Sequence, residues 1–187
     1  MGTNHMGRQS IRFPQPPVVR GFASVAGKKE REGPLGDQFT ATVQDTTFGE
    51  KSWERAERRM QQMTLELALE KAGLTDADLD AAFAGDLLNQ CIGSSFSLRN
   101  RGVPTLGLYG ACSTMAESLL LAAMSVSGGY ARTALAMTSS HFASSERQYR
   151  FPLGYGGQRT PTSQWTVTGA GAVLLGSGER GIRITAA

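Results

Sequence analysis

Between Gly107 and Gly129 the chain reads Gly-Leu-Tyr-Gly-Ala-Cys-Ser-Thr-Met-Ala-Glu-Ser-Leu-Leu-Leu-Ala-Ala-Met-Ser-Val-Ser-Gly-Gly. No other stretch restricts the fold as much. Thr105 to Tyr109 carry the apolar residues of a strand, and a tight turn and a helix follow. From Ser113 to Ser127 the residues are apolar or small on nearly every face, which predicts a helix packed on both sides inside the protein. Gly110 reads as the residue that lets the backbone adopt a shape a Cβ would forbid. Gly128-Gly129 reads as the stop. Cys112 then falls at or just before the first helical turn, where free N–H groups and the positive dipole end meet. Positions of that kind activate thiols and attract anions. Cys112 reads equally as a small buried hydrophobe at a tight turn, and local sequence leaves both readings open.

The remaining pattern alternates strand and helix. Val18–Val25 is a first strand, weakened by Gly21. Gly27–Gly36 is a glycine-rich loop whose Lys28, Lys29 and Arg31 read as solvated charges. A helix is predicted over Trp53–Ala72, with Ser52 as N-cap and Gly73 as terminator. Its apolar residues Ala56, Met60, Met63, Leu67 and the Ala68/Leu69 pair recur at helical spacing. Glu54, Arg55, Glu57, Arg58 and Arg59 are assigned to its wet face. Thr75 with Asp78 resembles a capping box. Strands are predicted at Ala81–Gly85, Thr105–Tyr109, Thr133–Thr138, Thr166–Gly176 and Gly181–Ala187. Phe142–Trp165 reads as a long polar loop, of the kind that is functional or disordered in compact domains. The class is therefore α/β with a largely parallel sheet.

Composition narrows the function classes. A chain of 187 residues with 40% hydrophobic content suits one globular domain with a real core. The net charge of +3 comes from interspersed charges of both signs, with no basic stripe carrying aromatics, so nucleic acid is not an expected partner. Two cysteines, Cys91 and Cys112, are too few for a disulfide framework and point to a reducing, cytosol-like compartment. No apolar run reaches the length of a membrane span. Met1–Met6 reads as a tag remnant, and residues 1–12 as a disordered N-terminus.

Three strand ends offer polar groups: Asp86 with Asn89, Cys112 with Ser113, and Ser140 with His141. In an α/β sheet, strand ends on one edge converge on one crevice. A Cys112–His141 pair would be a minimal nucleophile and base, whereas a lone histidine after a strand is more often a structural hydrogen-bonder. Cys91, Cys112 and His141 lack metal-ligand spacing, so no metal is expected. The segment Gly154-Tyr-Gly-Gly lacks the lysine and helix of a phosphate loop. Arg147 and Arg150 suit a planar carboxylate and equally suit a solvated loop.

Gly85-Asp-Leu-Leu-Asn-Gln90, Gly107-Leu-Tyr-Gly-Ala-Cys-Ser113, Thr138-Ser-Ser-His141, Arg147-Gln-Tyr-Arg-Phe-Pro152 and Pro161–Gly171 together resemble the stage V sporulation protein AD family. Gly33-Pro-Leu-Gly36 and Trp53–Arg58 fit it too. Gly-Ala-Cys-Ser alone indicates only the wider thiolase and ketoacyl-synthase superfamily. The resemblance implies a thiolase-like fold, with residues 13–187 as its N-terminal half: a mixed five-stranded sheet flanked by helices. The second half, which carries the superfamily's catalytic histidine, has no counterpart in this sequence. The implied function is non-catalytic binding of dipicolinic acid (pyridine-2,6-dicarboxylate) for uptake into the developing spore, with no cofactor. The ligand set implied is Cys112, Ser113, His141, Ser140, Asp86, Asn89 and Arg150. Implied partners are dipicolinic acid, free or as its calcium chelate, other proteins of the spore transport system, and a second copy as a homodimer. The implied place is cytoplasmic, peripheral to the spore inner membrane. The alternative is an acyltransferase of the condensing-enzyme type using Cys112 as nucleophile.

Overall fold

A computed structural model describes residues 4–149, 161–162 and 164–187. In chain order its strands are β1 (His5–Met6), β2 (Ser10–Ile11), β3 (Val18–Ala26), β4 (Ala41–Thr42), β5 (Ala81–Gly85), β6 (Thr105–Leu108), β7 (Thr133–Ser140) and β8 (Gly169–Gly176). Its helices are α1 (Lys28–Arg31), α2 (Trp53–Ala72), α3 (Ile92–Leu98), α4 (Thr114–Ser127) and α5 (Phe142–Tyr149).

The main sheet runs β4-β3-β8-β7-β5-β6. Five longer strands thus carry a two-residue sixth at one edge. The sheet is mixed, not largely parallel as the strand–helix alternation predicted. β4 is parallel to β3, and β6 and β7 are parallel to β5, but β8 runs antiparallel to both β3 and β7. The reason lies in the connection. β7 ends at Ser140 and β8 begins paired beside it at Gly169, and antiparallel neighbours joined at the same end need no crossover.

Alternation along β7 assigns the two faces. Leu135 and Met137 face α2, joining Leu65, Ala68, Leu69 and Leu174 in one core cluster. Ala134 and Ala136 face α4, joining Ala122, Ala123, Val126 and Phe83 in another. Small residues on both sides of that second contact let α4 lie close to the sheet. Ala116 and Met124 on its other side are exposed, so among the described residues α4 is covered on one face, not on both.

The predicted ends of α2 are those observed. Ser52 Oγ accepts from the Arg55 N–H at 3.3 Å, and Gly73 takes φ 64°, with Leu74 N–H bonding Leu69 O at 3.0 Å. The Thr75–Asp78 capping box forms around a short 3-10 turn. The predicted loop at Gly27–Gly36 contains α1, and the one at Phe142–Trp165 opens with α5. Gly181–Ala187 makes isolated bridges rather than a strand. Within residues 1–12, expected to be disordered, β1 and β2 pair, and Ile11 exchanges both backbone hydrogen bonds with Ala187 (2.6 and 2.9 Å). Paired backbone groups hold that segment in place.

Two glycine-dependent turns shape the site. A Cβ on Gly85 would lie 2.2 Å from Leu108 O and 2.5 Å from Thr114 Cγ2, so glycine lets the ends of β5 and β6 and the start of α4 close together. Gly110 has φ −109°, a shape any residue adopts, so its role is close approach rather than backbone freedom: a Cβ there would lie 2.5 Å from Ser113 Oγ and 2.6 Å from Glu117 Oε2. The strained backbone belongs to its neighbour Ala111, at φ 50°.

Candidate functional site

The ends of β5 and β7, the entry to β8 and the first turn of α4 enclose a crevice of about 310 Å³. Asp86 and Leu87 line one wall, Cys112, Thr114 and Met115 a second, and Ser139, Ser140, Val167 and Gly171 lie among the rest. The convergence predicted from the strand ends therefore holds for Asp86, Cys112 and Ser140. Cys112 is exposed, whereas Cys91 is buried with its thiol donating to Leu108 O at 3.2 Å.

Asp86 is buried, and its carboxylate is enclosed by donors. The Leu88 N–H reaches Oδ1 at 2.9 Å, and the Ser94 N–H and hydroxyl reach Oδ2 at 2.7 and 2.6 Å. These dipoles counter its charge at the crevice wall. Ser140 Oγ donates to Val167 O at 2.6 Å, tying the end of β7 to the segment before β8.

His141 lies elsewhere. The ring is fully buried between Trp53 and Phe142, with centroids 5.5 and 5.0 Å away. Nδ1 accepts from the Ala143 N–H at 3.2 Å, which places the proton on Nε2, donated to Thr46 O at 2.8 Å. Burial holds its pKa below the ordinary 6.5. Both nitrogens are engaged and His141 does not line the crevice, so it is the structural hydrogen-bonder of the two readings.

Ser113 donates to Gly110 O at 2.8 Å and lies outside the lining. The exposed Asn89 also lies outside; its N–H donates to Gln148 Oε1 at 3.1 Å. Arg147 pairs with Glu54 on α2. Arg150 and the Gly154 segment lie outside the described residues. Near the crevice mouth, the Tyr109 and Tyr149 hydroxyls share a hydrogen bond and both reach Leu87 O. That shared bond pushes the Tyr149 hydroxyl up to about 12.

Sequence reasoning missed a polar chain behind the crevice. Glu57, assigned to the wet face, is fully buried. Ser139 Oγ donates to its Oε1 at 2.8 Å and Ser144 Oγ to its Oε2 at 2.7 Å. Gln61 Nε2 donates to Ser139 Oγ at 2.7 Å and to Ser94 Oγ at 3.2 Å, and Ser97 Oγ donates to Gln61 Oε1 at 2.6 Å. The chain thus runs from Asp86 through Ser94, Gln61 and Ser139 to Glu57. Burial pushes the Glu57 carboxyl up to about 7, against the serine hydrogen bonds and helped by the charges of Asp86 and Glu54. One signal was available: Glu57, Gln61 and Thr64 follow at helical spacing beside Ala56, Met60 and Leu65, marking an inward polar stripe.

Solved structures of two 3-oxoacyl-(acyl carrier protein) synthases III share this architecture. The enzyme from Xanthomonas oryzae pv. oryzae superposes with a TM-score of 0.57 at 16% identity, over 87% of this chain and 56% of that one. The enzyme from Aquifex aeolicus gives 0.57 at 17% identity, over 88% and 55%. At such identities the likeness defines the fold, which is thiolase-like. The family model described as stage V sporulation protein AD matches residues 7–187. The chain is 44% identical over 181 residues to stage V sporulation protein AD of Bacillus subtilis (strain 168), covering 97% of this chain and 54% of that relative. The chain belongs to the stage V sporulation protein AD family and spans about half the length of that curated relative.

Proposed function

We propose that this protein is a non-catalytic thiolase-fold binder of dipicolinic acid, serving its uptake into the developing spore. The observation that carries the reading is the crevice itself. Its volume of about 310 Å³ suits one small aromatic diacid rather than a long acyl chain. The first turn of α4 brings its positive dipole end to Cys112 and Thr114, favouring a carboxylate there. Ser139 and Ser140 add polar atoms to the lining, with their hydroxyl protons held by Glu57 and Val167 O. Asp86 already accepts three hydrogen bonds, which softens its repulsion of an anion. The uncomplexed dianion is the ligand form this favours over the calcium chelate.

The acyltransferase alternative has one observation in its favour, the exposed Cys112 at the crevice. Against it, both nitrogens of His141 are committed to Thr46 and Ala143, and a nucleophile needs a base within hydrogen-bond reach. Partners in the spore transport system and a peripheral place on the inner membrane belong to the same proposal. Among the described residues no helix is long and apolar enough to cross a membrane. A second copy is the partner proposed for the open edge of β6, where Leu106 is exposed.

Gly171 provides the test. It lines the crevice, and a Cβ built on it meets nothing within 4 Å, so the side chain of Gly171→Leu starts in open space at the crevice wall. Titration calorimetry should show saturable binding of dipicolinate to the wild type, with and without calcium. Gly171→Leu should bind at least about tenfold more weakly, a loss of about 1.4 kcal/mol, while keeping its melting temperature. Absence of heat from folded wild-type protein overturns the proposal.

A further inference from the structure

We infer that an anion entering the crevice is bound together with one proton, taken from solvent onto the buried Asp86–Glu57 hydrogen-bond chain, with Glu57 as the acceptor. The inference rests on the binding reading above and adds its regulation by pH.

The geometry supports it from both ends. Asp86 lines the crevice directly, and Ser139, which lines it too, donates to Glu57. Both carboxyl groups are buried. Among the described residues, the hydrogen bonds they accept come from neutral hydroxyls and backbone N–H groups, and neither has an ion pair. The ionisable groups around Glu57 do not supply a counter-charge. Glu54, on the same helix, is paired with Arg147 of α5, and Arg58 with Glu50. Glu146 of α5 accepts from the Thr166 N–H at 2.9 Å. His141 is neutral, with both ring nitrogens occupied. Helix α3 and strands β7 and β8 carry no ionisable side chain.

A dianion arriving beside two buried carboxylates raises the cost of keeping both ionised. The least expensive response is to protonate one of them. Asp86 is held by two backbone N–H groups that can only donate, so protonation there forfeits hydrogen bonds. Glu57 is held by hydroxyls, which can turn to accept its proton. Ser144 Oγ has His141 O at 3.3 Å as an alternative acceptor, so a protonated Glu57 can donate to Ser144 while Ser144 donates onward.

The test is calorimetry with dipicolinate in PIPES and in Tris between about pH 6 and pH 8.5. Buffers of different ionisation enthalpy reveal the protons exchanged. The wild type should take up close to one proton per ligand near the top of that range, with affinity falling about tenfold per pH unit there. Glu57→Gln should bind with no proton exchange and a flat pH profile. Binding with no exchange in the wild type, or exchange undiminished in Glu57→Gln, overturns this inference alone. No binding at all overturns it together with the reading beneath it. If Glu57→Gln fails to fold, the infrared carboxylic-acid band of the wild type decides: it must grow when dipicolinate is added at about pH 8, and a band that stays constant refutes the coupling.

Discussion

Replacing Glu57 by glutamine removes a buried charge while keeping the shape of the group and one oxygen to accept a serine hydroxyl. In the folded wild type the carboxyl ionises at about 7, against 4.5 when exposed. Between those values the unfolded chain has lost this proton and the folded chain has kept it. Stability therefore falls as pH rises through that window and levels off above about 7. At ~1.4 kcal/mol per pH unit, the wild type loses ~3 kcal/mol through this group between pH ~4.5 and pH ~7. His141, held below 6.5 by burial, has the opposite slope in part of the same range, because the unfolded state gains a proton as pH falls. Asp45, Asp78 and Asp80 are all held below 3.8, chiefly by backbone hydrogen bonds, so their stabilisation is lost only in more acid solution. Subtracting one protein from the other cancels these contributions. Urea unfolding followed by the fluorescence of Trp53 and Trp165 should show Glu57→Gln gaining ~3 kcal/mol on the wild type from pH ~5 to pH ~8. Parallel stability profiles over that range would refute the reasoning.

Three further outcomes follow from the same geometry. Gly85→Ala puts a methyl group 2.2 Å from Leu108 O and should cost at least ~1–3 kcal/mol in chemical denaturation, the scale of overpacking. His141→Ala removes a fully buried ring with bonds to Thr46 and Ala143 and should cost ~2–4 kcal/mol. The dipicolinate affinity of its folded fraction should change by less than about threefold, because the ring faces away from the crevice. Arg147→Ala breaks an exposed pair with Glu54 and should cost no more than ~1 kcal/mol in the same unfolding assay.

What could be read from the sequence was what short-range chemistry decides. Ser52 and Gly73 bracket α2 because capping is local. The strand ends at Asp86, Cys112 and Ser140 meet because an α/β sheet gathers them on one edge. What escaped depends on distant partners. Glu57 lies on an apparently charged turn, yet its partners are Ser139 and Ser144, 82 and 87 residues away. His141 follows a strand end that opens onto the crevice, but Thr46, 95 residues earlier, holds its ring elsewhere. The direction of β8 depends on where the preceding segment returns, which no local pattern encodes. Helix α5 was read as loop because its Ser-Ser-Glu-Arg-Gln run is polar; Ser144 and Ser145 are nonetheless buried.

Cys112 reports on the crevice directly, since it lines the cavity and is exposed while Cys91 is buried. Alkylation of Cys112 by iodoacetamide, followed by mass spectrometry across a dipicolinate titration, measures occupancy at that one place. The account predicts that labelling slows as dipicolinate saturates, to about one tenth of its starting rate when free ligand is about nine times the dissociation constant. Labelling at an unchanged rate under saturating dipicolinate would contradict it.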